Sequence, residues 1–378
     1  MKLLIVAPYF HPKIGGMEKY VYTMCMRLKS EHDCDIVVVT SNHERRSYEV
    51  DAVDAIKVYR LPPLFMLSNT PINPLWYVWI KRIIAAEKPD LINAHAPVPF
   101  IADMAAFAAG RIPFVLTYHA GSMKRGKAAI DLIVGVYERY VQPRVFGRAR
   151  IIAAYATQFV SLPLLARATD LHHVTPGVDT RLFHPGAAGA AGATVTFVGR
   201  IEKNADWKGI NYLLDAMRLV KDVLPSVRVV LVGAGDQVDY YKAYAERLGL
   251  AESAVFTGSL RGERLVQRIQ ESSVVVLPSV ANAESFGMVL IEAMACKKPV
   301  IGSRIGGIPF VIDDGVDGLL VPPRDAPALA RAIIAVLGDP TLAARLGTNG
   351  YLKAIDGYAW EGKATQTHDI LAHYATTH

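Results

Sequence analysis

The chain has 378 residues, of which 52% are hydrophobic and 20% charged, a balance typical of a soluble globular protein and not of a disordered one. This length is enough for two domains, each with its own core. The net charge of +6 lies in residues 1–180, which hold 21 Lys and Arg against 15 Asp and Glu. No apolar stretch reaches the length of a membrane span, and the three cysteines form neither a metal-binding pair nor an even disulfide set. We therefore expect a cytoplasmic protein without zinc or disulfides.

The first half of the chain alternates apolar runs with longer amphipathic stretches. The runs predict strands at residues 3–7, 36–40, 56–60, 90–94, 113–118 and 150–154, and the amphipathic stretches predict helices at 17–30, 74–87, 98–110 and 127–146. Continuous Val, Ile and Leu runs between helices are typical of a parallel sheet that is covered on both faces.

The pattern restarts after a turn-rich segment at residues 175–189. Further strands are predicted at residues 194–199, 227–232, 254–257, 273–277, 299–302 and 318–321. We predict an α/β protein of two Rossmann-like, doubly wound domains that face each other across a cleft, with residues 1–186 in the first and 187–357 in the second. The boundary falls near the Gly/Ala stretch 188–193. Residues 358–378 have no following strand, so they are predicted to pack back on the first domain.

Two carboxylates stand eight positions apart in the segment 284–292, on either side of a glycine. An apolar run precedes the segment and a helical pattern follows, so we place Glu284 in a loop, Ser285 at the helix cap and Glu292 about two turns inside the helix. The amides of Gly287, Met288 and Val289 then suit an anion. The segment fits a sugar nucleotide, with the diphosphate on the amides, the ribose on Glu292 and the sugar beside Glu284. The alternative is an ordinary helix start with an exposed acid at each end.

Ligands of open α/β sheets bind at the carboxyl ends of the strands, where two further features fall. Gly15 and Gly16 precede the first helix, where adjacent glycines let a backbone approach an anion, although their spacing matches no dinucleotide or phosphate-binding fingerprint. His119 follows the fifth strand at the expected cleft edge. The alternatives are a tight turn for the glycines and a packed polar side chain for the histidine.

Two cations flank the turn after the first strand of the second half. Arg200 follows a glycine at the end of that strand, and Lys208 precedes a glycine at the start of the next helix. Both would neutralise the charge of a departing diphosphate. The alternative is a pair of ordinary surface charges.

Together these motifs resemble the retaining GT-B glycosyltransferases of family GT4 over nearly the whole chain. The resemblance is carried by residues 15–18, 177–183, 199–200, 208–209, 284–292, 306–309 and 317–321. It implies transfer of a hexose from a nucleotide diphosphate sugar to a hydroxyl with retention of anomeric configuration. It also assigns roles to residues of this chain: Arg200 and Lys208 on the diphosphate, the Gly16 amide on a phosphate, Glu284 near the sugar hydroxyls, Glu292 on the ribose, and His119 beside the transferred sugar.

No DxD-like motif or aspartate cluster stands out, so we expect no metal ion and no other cofactor. The donor-binding set also includes Gly15, Ser285, Phe286 and the loop residue Leu260. The loop 258–263 lacks the adjacent acidic pair of some guanine-nucleotide members, which favours a UDP-sugar over a GDP-sugar. The interval between Arg200 and Lys208 is longer than the common family form, so Lys203 is the alternative to Lys208.

Three other functions use similar features. A nucleotide-sugar epimerase or a phosphorylase would share the architecture, and a non-catalytic sugar-nucleotide binder would share the site. The missing dinucleotide fingerprint disfavours a nicotinamide dehydrogenase.

Basic residues cluster in the first half at Lys124, Arg125, Lys127, Arg139, Arg144, Arg148 and Arg150. Together with the apolar loop 61–67 and with Trp76, Tyr77 and Trp79, they would suit an anionic membrane surface at the inner face of the membrane. The alternatives are a solvated helix face and buried packing of the aromatic residues. Nucleic acid is disfavoured because no binding motif accompanies the charge. The hydroxyl acceptor is left open among a lipid-linked sugar, a polysaccharide and a small polyol.

Overall fold

The computed structural model describes residues 1–13, 15–42, 45–67, 70–119, 128–153, 170–186 and 192–377. It divides into two compact units: the first unit is Met1–Pro176 with Glu361–His378, and the second unit is Gly177–Trp360. The second unit therefore begins before the predicted boundary at residue 187. The reason is a set of backbone bonds, in which Val178 N–H donates to Tyr358 O at 2.7 Å and Trp360 N–H donates to Val178 O at 3.1 Å.

The described residues form the following strands and helices. The strands are β1 (Lys2–Val6), β2 (Asp35–Ser41), β3 (Glu49–Val53), β4 (Ile56–Leu61), β5 (Phe65–Leu67), β6 (Thr70–Ile72), β7 (Leu91–Ala96), β8 (Phe114–Tyr118), β9 (Arg150–Ala153), β10 (Leu171–His173), β11 (Thr194–Val198), β12 (Arg228–Val232), β13 (Ala254–Gly258), β14 (Val274–Leu277), β15 (Val300–Ser303) and β16 (Leu319–Val321). The α-helices are α1 (Gly16–His32), α2 (Trp76–Glu87), α3 (Ile101–Ala108), α4 (Ala128–Tyr140), α5 (Gln142–Phe146), α6 (Ile210–Val223), α7 (Val238–Arg247), α8 (Glu263–Gln270), α9 (Met288–Ala295), α10 (Ile308–Val311), α11 (Ala326–Gly338), α12 (Pro340–Tyr358) and α13 (Trp360–Thr376), and a 3-10 turn spans Lys203–Lys208.

The first unit is built on one sheet with the strand order β10-β9-β8-β7-β1-β2-β4-β3. Its strands run parallel except β3, which is antiparallel to β4 at the edge. The chain winds outwards from β1 through β2 and β4, then returns to β7 on the other side of β1. The junction of β1 and β7 is thus the point where the strand order reverses and where ligands of doubly wound sheets bind.

The second unit is built on a fully parallel sheet with the order β13-β12-β11-β14-β15-β16. Here the chain winds outwards from β11 and returns to β14, so the reversal point lies between β11 and β14. Strand β14 is wholly apolar and buried, and the three inner residues of β11 are buried as well, as expected for the centre of a parallel sheet that is covered on both faces. The predicted α/β class with two doubly wound parallel sheets is confirmed.

Several element bounds differ from the predictions. The helix predicted at 127–146 is two helices broken at Val141, where Pro143 lies in the first turn of α5. The helix predicted at 98–110 begins only at Ile101, because the preceding prolines favour extended backbone in the residues before them. Strands β3, β5, β6 and β10 escaped prediction because they are short or polar and lie at an edge or in a hairpin. Residue 154 and most of the Gly/Ala stretch lie outside the described residues.

In the part of the chain that the structure describes, no single helix combines the length and apolar character needed to cross a membrane. Among the described helices, α11 and α12 are together long and apolar enough, but the chain bends by 99° between them.

Candidate active site

In the second unit, the loops after β11 and β14 meet at the reversal point of the sheet. The backbone N–H of Val280 donates to Trp207 O at 2.7 Å. Gly209 lies beside the same loop with a φ of +73°, and a Cβ at this position would stand 2.1 Å from Pro278 O. Glycine is therefore required at position 209 for both its backbone conformation and the close approach of the two loops.

An ion pair lies where these loops meet. Lys208 Nζ is 2.6 Å from Glu284 Oε2, and the same oxygen accepts a hydrogen bond from Ser279 Oγ at 2.9 Å. The side chains of Lys208 and Glu284 are only 15% and 9% exposed. Lys208 Nζ also lies 4.5 Å from the centre of the Trp207 ring. Burial weakens solvent screening, so the cation and the carboxylate fix each other's position.

The loop after β15 supports the backbone of Glu284. Gly307 N–H donates to Glu284 O at 2.8 Å. A Cβ on Gly306 would lie 2.2 Å from Glu284 O, and one on Gly307 would lie 2.0 Å from Ser285 O. The absence of side chains at Gly306 and Gly307 thus allows the loop after β15 to contact the backbone of Glu284 and Ser285 directly. This contact supports the loop that carries Glu284.

Helix α9 begins differently from the prediction. Its N-cap is Gly287, in the left-handed region with a φ of +86°, and no side chain caps it. The prediction that Ser285 caps this helix is therefore wrong: the left-handed glycine turns the chain at the N-cap itself. Since the helix begins at Met288, Glu292 lies about one turn inside it instead of two. The first-turn amides of Met288 and Val289 have no acceptor within the helix, as at any helix start.

Three other residues predicted for this site are buried to different degrees. Phe286 is 3% exposed and packs edge-on against Tyr358, with ring centres 5.7 Å apart, so its side chain belongs to the core. Leu260 follows β13 and is half-buried against the core. Glu292 is 7% exposed, and it adds to the effect of burial in raising the pKa of Cys296 to about 12.

Arg200 and Lys203 are more exposed than Lys208. The Arg200 guanidinium, whose side chain is 53% exposed, lies 3.3 Å from Glu202 Oε2. Lys203 is exposed on the 3-10 turn, and its backbone N–H donates to Asp236 Oδ1 at 2.9 Å. The structure therefore places Lys208 in contact with Glu284 and leaves Lys203 on the surface.

In the first unit, the glycine pair begins α1. Gly15 is the N-cap with extended backbone, and no side chain caps the helix. A Cβ on Gly15 would stand 2.2 Å from Glu18 Oε2, whereas one on Gly16 would meet no atom within 4 Å. The pair lies in the loop after β1, next to the reversal point of the first sheet.

His119 directly follows β8 and contacts a second histidine, His95, on β7. His95 Nδ1 and His119 Nε2 are 2.8 Å apart, and the two rings are stacked at 23°. The Tyr20 ring on α1 meets His119 edge-on, with ring centres 4.8 Å apart. Burial lowers the pKa of His119 to about 3. The pKa of His95 lies well below its usual range, mainly because the ring is buried and to a smaller extent because a proton on His119 would repel one on His95. Both rings are therefore neutral near pH 7.

Comparison with known proteins identifies the family. Residues 186–353 match the family described as glycosyl transferases group 1, and residues 14–182 match glycosyltransferase family 4. An uncharacterized glycosyltransferase of Methanocaldococcus jannaschii is 32% identical, with 98% of this chain and 97% of that protein covered. The chain belongs to glycosyltransferase family 4. The expected membership of family GT4 and the expected glycosyltransferase are thus confirmed.

Relatives of lower identity and a solved structure match at least 98% of the chain. A phosphatidyl-myo-inositol mannosyltransferase of Mycobacterium leprae is 26% identical, over 100% of this chain and 98% of that protein. A GDP-mannose-dependent alpha-(1-6)-phosphatidylinositol monomannoside mannosyltransferase of Mycolicibacterium smegmatis is 24% identical, over 98% of each. The structure of sucrose-phosphate synthase from Thermosynechococcus elongatus superposes with a TM-score of 0.80 at 24% identity, over 98% of each chain, which shows the shared GT-B fold.

Three residues that contact the predicted site residues of this glycosyltransferase were not predicted from the sequence. Ser279 follows β14 directly, so its place after a strand could have drawn attention to it. His95 lies at the end of β7, beside the strand that precedes His119, and this common position was a usable signal. Tyr20 lies inside an ordinary helix pattern, and nothing in the sequence distinguishes it from a core residue.

Proposed function

We propose that the protein is a retaining hexosyltransferase that moves a hexose from a nucleoside diphosphate hexose to a hydroxyl group of a lipid acceptor. The observation that carries this proposal is the group of Lys208, Glu284 and Ser279 at the reversal point of the second sheet, next to the uncapped start of α9. An anionic diphosphate suits helix amides and a nearby cation, and a sugar hydroxyl suits a fixed carboxylate.

The chemistry follows from these charges. Negative charge grows on the diphosphate as the bond to the sugar breaks, and Lys208, Arg200 and the first-turn amides of α9 would stabilise it. A front-face substitution, in which the departing diphosphate helps to take the acceptor proton, would retain the anomeric configuration. Because side-chain cations supply the positive charge, we expect transfer without an added divalent ion.

The relatives suggest the donor and the acceptor. The protein of Mycolicibacterium smegmatis is GDP-mannose-dependent by its name, and both mycobacterial relatives are named for inositol lipids. The loop 258–263, in contrast, favours a uridine nucleotide by its lack of an acidic pair. A donor test therefore needs both classes.

The test is a transfer assay with the purified full-length chain. GDP-mannose, UDP-glucose and UDP-N-acetylglucosamine are each incubated with vesicles that contain phosphatidylinositol, with and without EDTA, and the lipid product is followed by mass spectrometry. We expect one donor to give a glycosylated lipid in the presence of EDTA, with the α-linkage of the donor retained. Hydrolysis of every donor without a lipid product, or an inverted linkage, would contradict the proposal.

A lipid acceptor requires access to a membrane surface, and the first unit carries a face that suits one. Helix α4 exposes Leu132, Ile133, Val136 and Tyr140, with fractions of 71%, 53%, 53% and 56%. Arg139 on α4, Arg144 on α5 and Arg148 just after α5 are also exposed. Apolar side chains flanked by arginines favour an anionic bilayer interface. We propose that this α4 face docks reversibly on anionic lipid.

The aromatic residues named in the sequence contribute differently. Trp76 is fully buried, and its Nε1–H donates to Pro62 O at 3.0 Å, so it is a core residue and not a membrane anchor. Phe65 and Leu67 on the β5–β6 hairpin, with Leu64 just before it, are about half exposed or more. Lys124, Arg125 and Lys127 lie outside the described residues.

Vesicle sedimentation tests the docking. The wild-type chain should sediment with phosphatidylglycerol vesicles at low salt, and much less with phosphatidylcholine vesicles or at high salt. The variant Leu132→Ser/Ile133→Ser should lose most of this binding. The matched control is Leu219→Ser/Val223→Ser on α6 of the second unit, where the replaced side chains are 40% and 58% exposed. Equal losses in both variants, or no binding by the wild type, would exclude a docking role for α4.

A further inference from the structure

Three buried polar side chains and the partly buried His119 lie together on β7 and β8 and directly after β8. Asn93, His95 and Thr117 are 2%, 2% and 1% exposed. The parallel register sets His95 opposite Thr117, and alternation along a strand puts Thr117 and His119 on the same face of the sheet. Asn93 Nδ2 donates to Thr117 Oγ1 at 2.9 Å, and a second hydrogen bond joins the rings of His95 and His119. The strand register therefore explains why His95 and His119 meet although they are 24 residues apart.

The hydrogen bond between the histidines fixes the tautomer of each ring. A neutral imidazole has one N–H and one bare nitrogen. In a bond between His95 Nδ1 and His119 Nε2, one ring must donate and the other must accept, so the outer nitrogens, His95 Nε2 and His119 Nδ1, have opposite characters. Setting the proton on one ring thus decides whether the other presents a donor or an acceptor.

Burial favours one of the two arrangements. Among the described residues, the His95 side chain makes no hydrogen bond other than the one to His119. A buried N–H without an acceptor is rarer in proteins than a lone pair without a donor, so the outer nitrogen of the deeply buried ring is better left bare. The proton of His95 then sits on Nδ1, and that of His119 sits on Nδ1 as well.

We propose that His95 is a positioning residue that donates its Nδ1–H to His119 Nε2, so that His119 presents its own Nδ1–H as a hydrogen-bond donor to an oxygen of the bound sugar. This inference rests on the proposed function, and on the expectation from the family resemblance that His119 lies beside the transferred sugar. The Tyr20 ring, edge-on at 4.8 Å, holds the plane of His119. The two histidines then favour ligands that place a hydrogen-bond acceptor next to His119 Nδ1.

The first experiment reads the tautomer directly. The full chain is labelled with ¹⁵N-histidine, and His119 is identified by comparison with the variant His119→Asn. We expect the ring nitrogens of wild-type His119 to show a protonated Nδ1 and a bare Nε2. His95→Phe, which removes the bonding nitrogen, should shift His119 towards the Nε2–H form. His95→Asn, whose amide can occupy the place of Nδ1, should keep the wild-type pattern. A protonated Nε2 in the wild type, or a pattern that His95→Phe leaves unchanged, would overturn the proposal.

The second experiment measures transfer by the same variants. Loss of one oriented hydrogen bond should lower kcat by about tenfold in His95→Phe, with recovery to within a few-fold in His95→Asn. The affinity for free nucleoside diphosphate should be unchanged. Thr117→Val, which removes a neighbouring buried hydrogen bond without touching His119, should keep the wild-type kcat. Equal losses in His95→Asn and His95→Phe would argue against positioning. If no donor supports transfer, the proposed function fails, while the nitrogen spectra still decide the role of His95.

Discussion

At the scale of single residues, Lys208 gains its importance from its surroundings. Its side chain is mostly buried against Trp207 and bonded to Glu284, whereas Lys203 is exposed on the same 3-10 turn. A side chain that is already fixed costs less entropy when it binds a ligand than a mobile one does. This difference favours Lys208 as the cation that meets the diphosphate.

We therefore expect Lys208→Ala to lower turnover by about a hundredfold or more, as the loss of a transition-state charge partner does. Lys203→Ala is the matched control and should stay within about twofold of the wild type. Among the described residues, Lys208→Ala leaves the buried Glu284 carboxylate with Ser279 as its one side-chain hydrogen-bond donor, so stability should also fall, by about 3 kcal/mol. Steady-state kinetics and urea unfolding measure the two effects, and the reverse order of activity losses would assign the diphosphate to Lys203.

The histidine pair also gives a prediction for stability in acid. The folded-state pKa values of His95 and His119 lie below 6.5, so between pH 6.5 and the folded values the unfolded chain binds protons that the folded chain does not. Stability from this pair is therefore complete above pH 6.5 and is lost as the pH falls. Each histidine should contribute a slope of up to about 1.4 kcal/mol per pH unit.

Urea unfolding of the wild type and of His95→Phe/His119→Phe between pH 7 and pH 5 tests this slope. The double variant should lose less stability than the wild type over the same range, because it has two fewer groups to protonate on unfolding. Other histidines contribute equally to both proteins, so the difference isolates the pair. If the wild type and the double variant lose the same amount of stability between pH 7 and pH 5, the fold does not keep the two rings neutral.

At the scale of elements, glycines determine how closely the site loops approach each other. Gly209 and Gly258 share a φ of +73°, yet a Cβ would meet Pro278 O at 2.1 Å in the first case and no atom within 4 Å in the second. The two positions thus share an unfavourable φ for any other residue and differ in crowding.

Gly258→Ala should therefore cost about 1–2 kcal/mol from the left-handed backbone alone. Gly209→Ala should cost clearly more, because the loop after β14 must move away, and it should also lower turnover by displacing Lys208. Thermal unfolding and kinetics of the two variants provide the measurement. Similar destabilisation by both would mean that the loops have room to separate.

At the scale of the whole molecule, the chain returns to the first unit after completing the second. Helix α13 buries Ala364 and Leu371, and it bonds the first unit through Arg27 Nη1 to Glu361 Oε1 at 3.1 Å and through His172 Nε2 to Tyr374 Oη at 2.7 Å. The first unit is therefore incomplete without residues that are more than 180 positions away from its main part.

A chain that ends at Trp360 should lose hydrogen-exchange protection throughout the first unit, while β11, β12 and β14 of the second unit keep theirs. The control Glu361→Ala removes the ion pair with Arg27 and keeps the rest of α13, so it should leave the first unit protected against exchange. Exchange mass spectrometry on both proteins measures this. Unchanged protection of β1 and β7 in the shortened chain would show that α13 is dispensable for the first unit.

The sequence by itself determined the class of fold and most of the elements. Continuous apolar runs such as those of β1 and β14 are typical of strands in a sheet covered on both faces, so local composition is enough to identify them. The sequence also indicated candidate site residues. Parallel strands have their carboxyl ends at one edge of the sheet, and Glu284, Arg200 and His119 each follow such a strand. The short polar strand β3 was missed, because its pattern does not differ from that of a loop.

Only the tertiary structure decided which of these residues meet. Lys208 and Glu284 are 76 residues apart, and they pair because β11 and β14 are neighbours at the reversal point of the sheet. His95 reaches His119 because β7 and β8 are adjacent in a particular register. The start of α9 at Met288 depends on the left-handed turn at Gly287, which is the N-cap of the helix. Strand order, register and loop approach are set by contacts between distant segments, and no local pattern contains them.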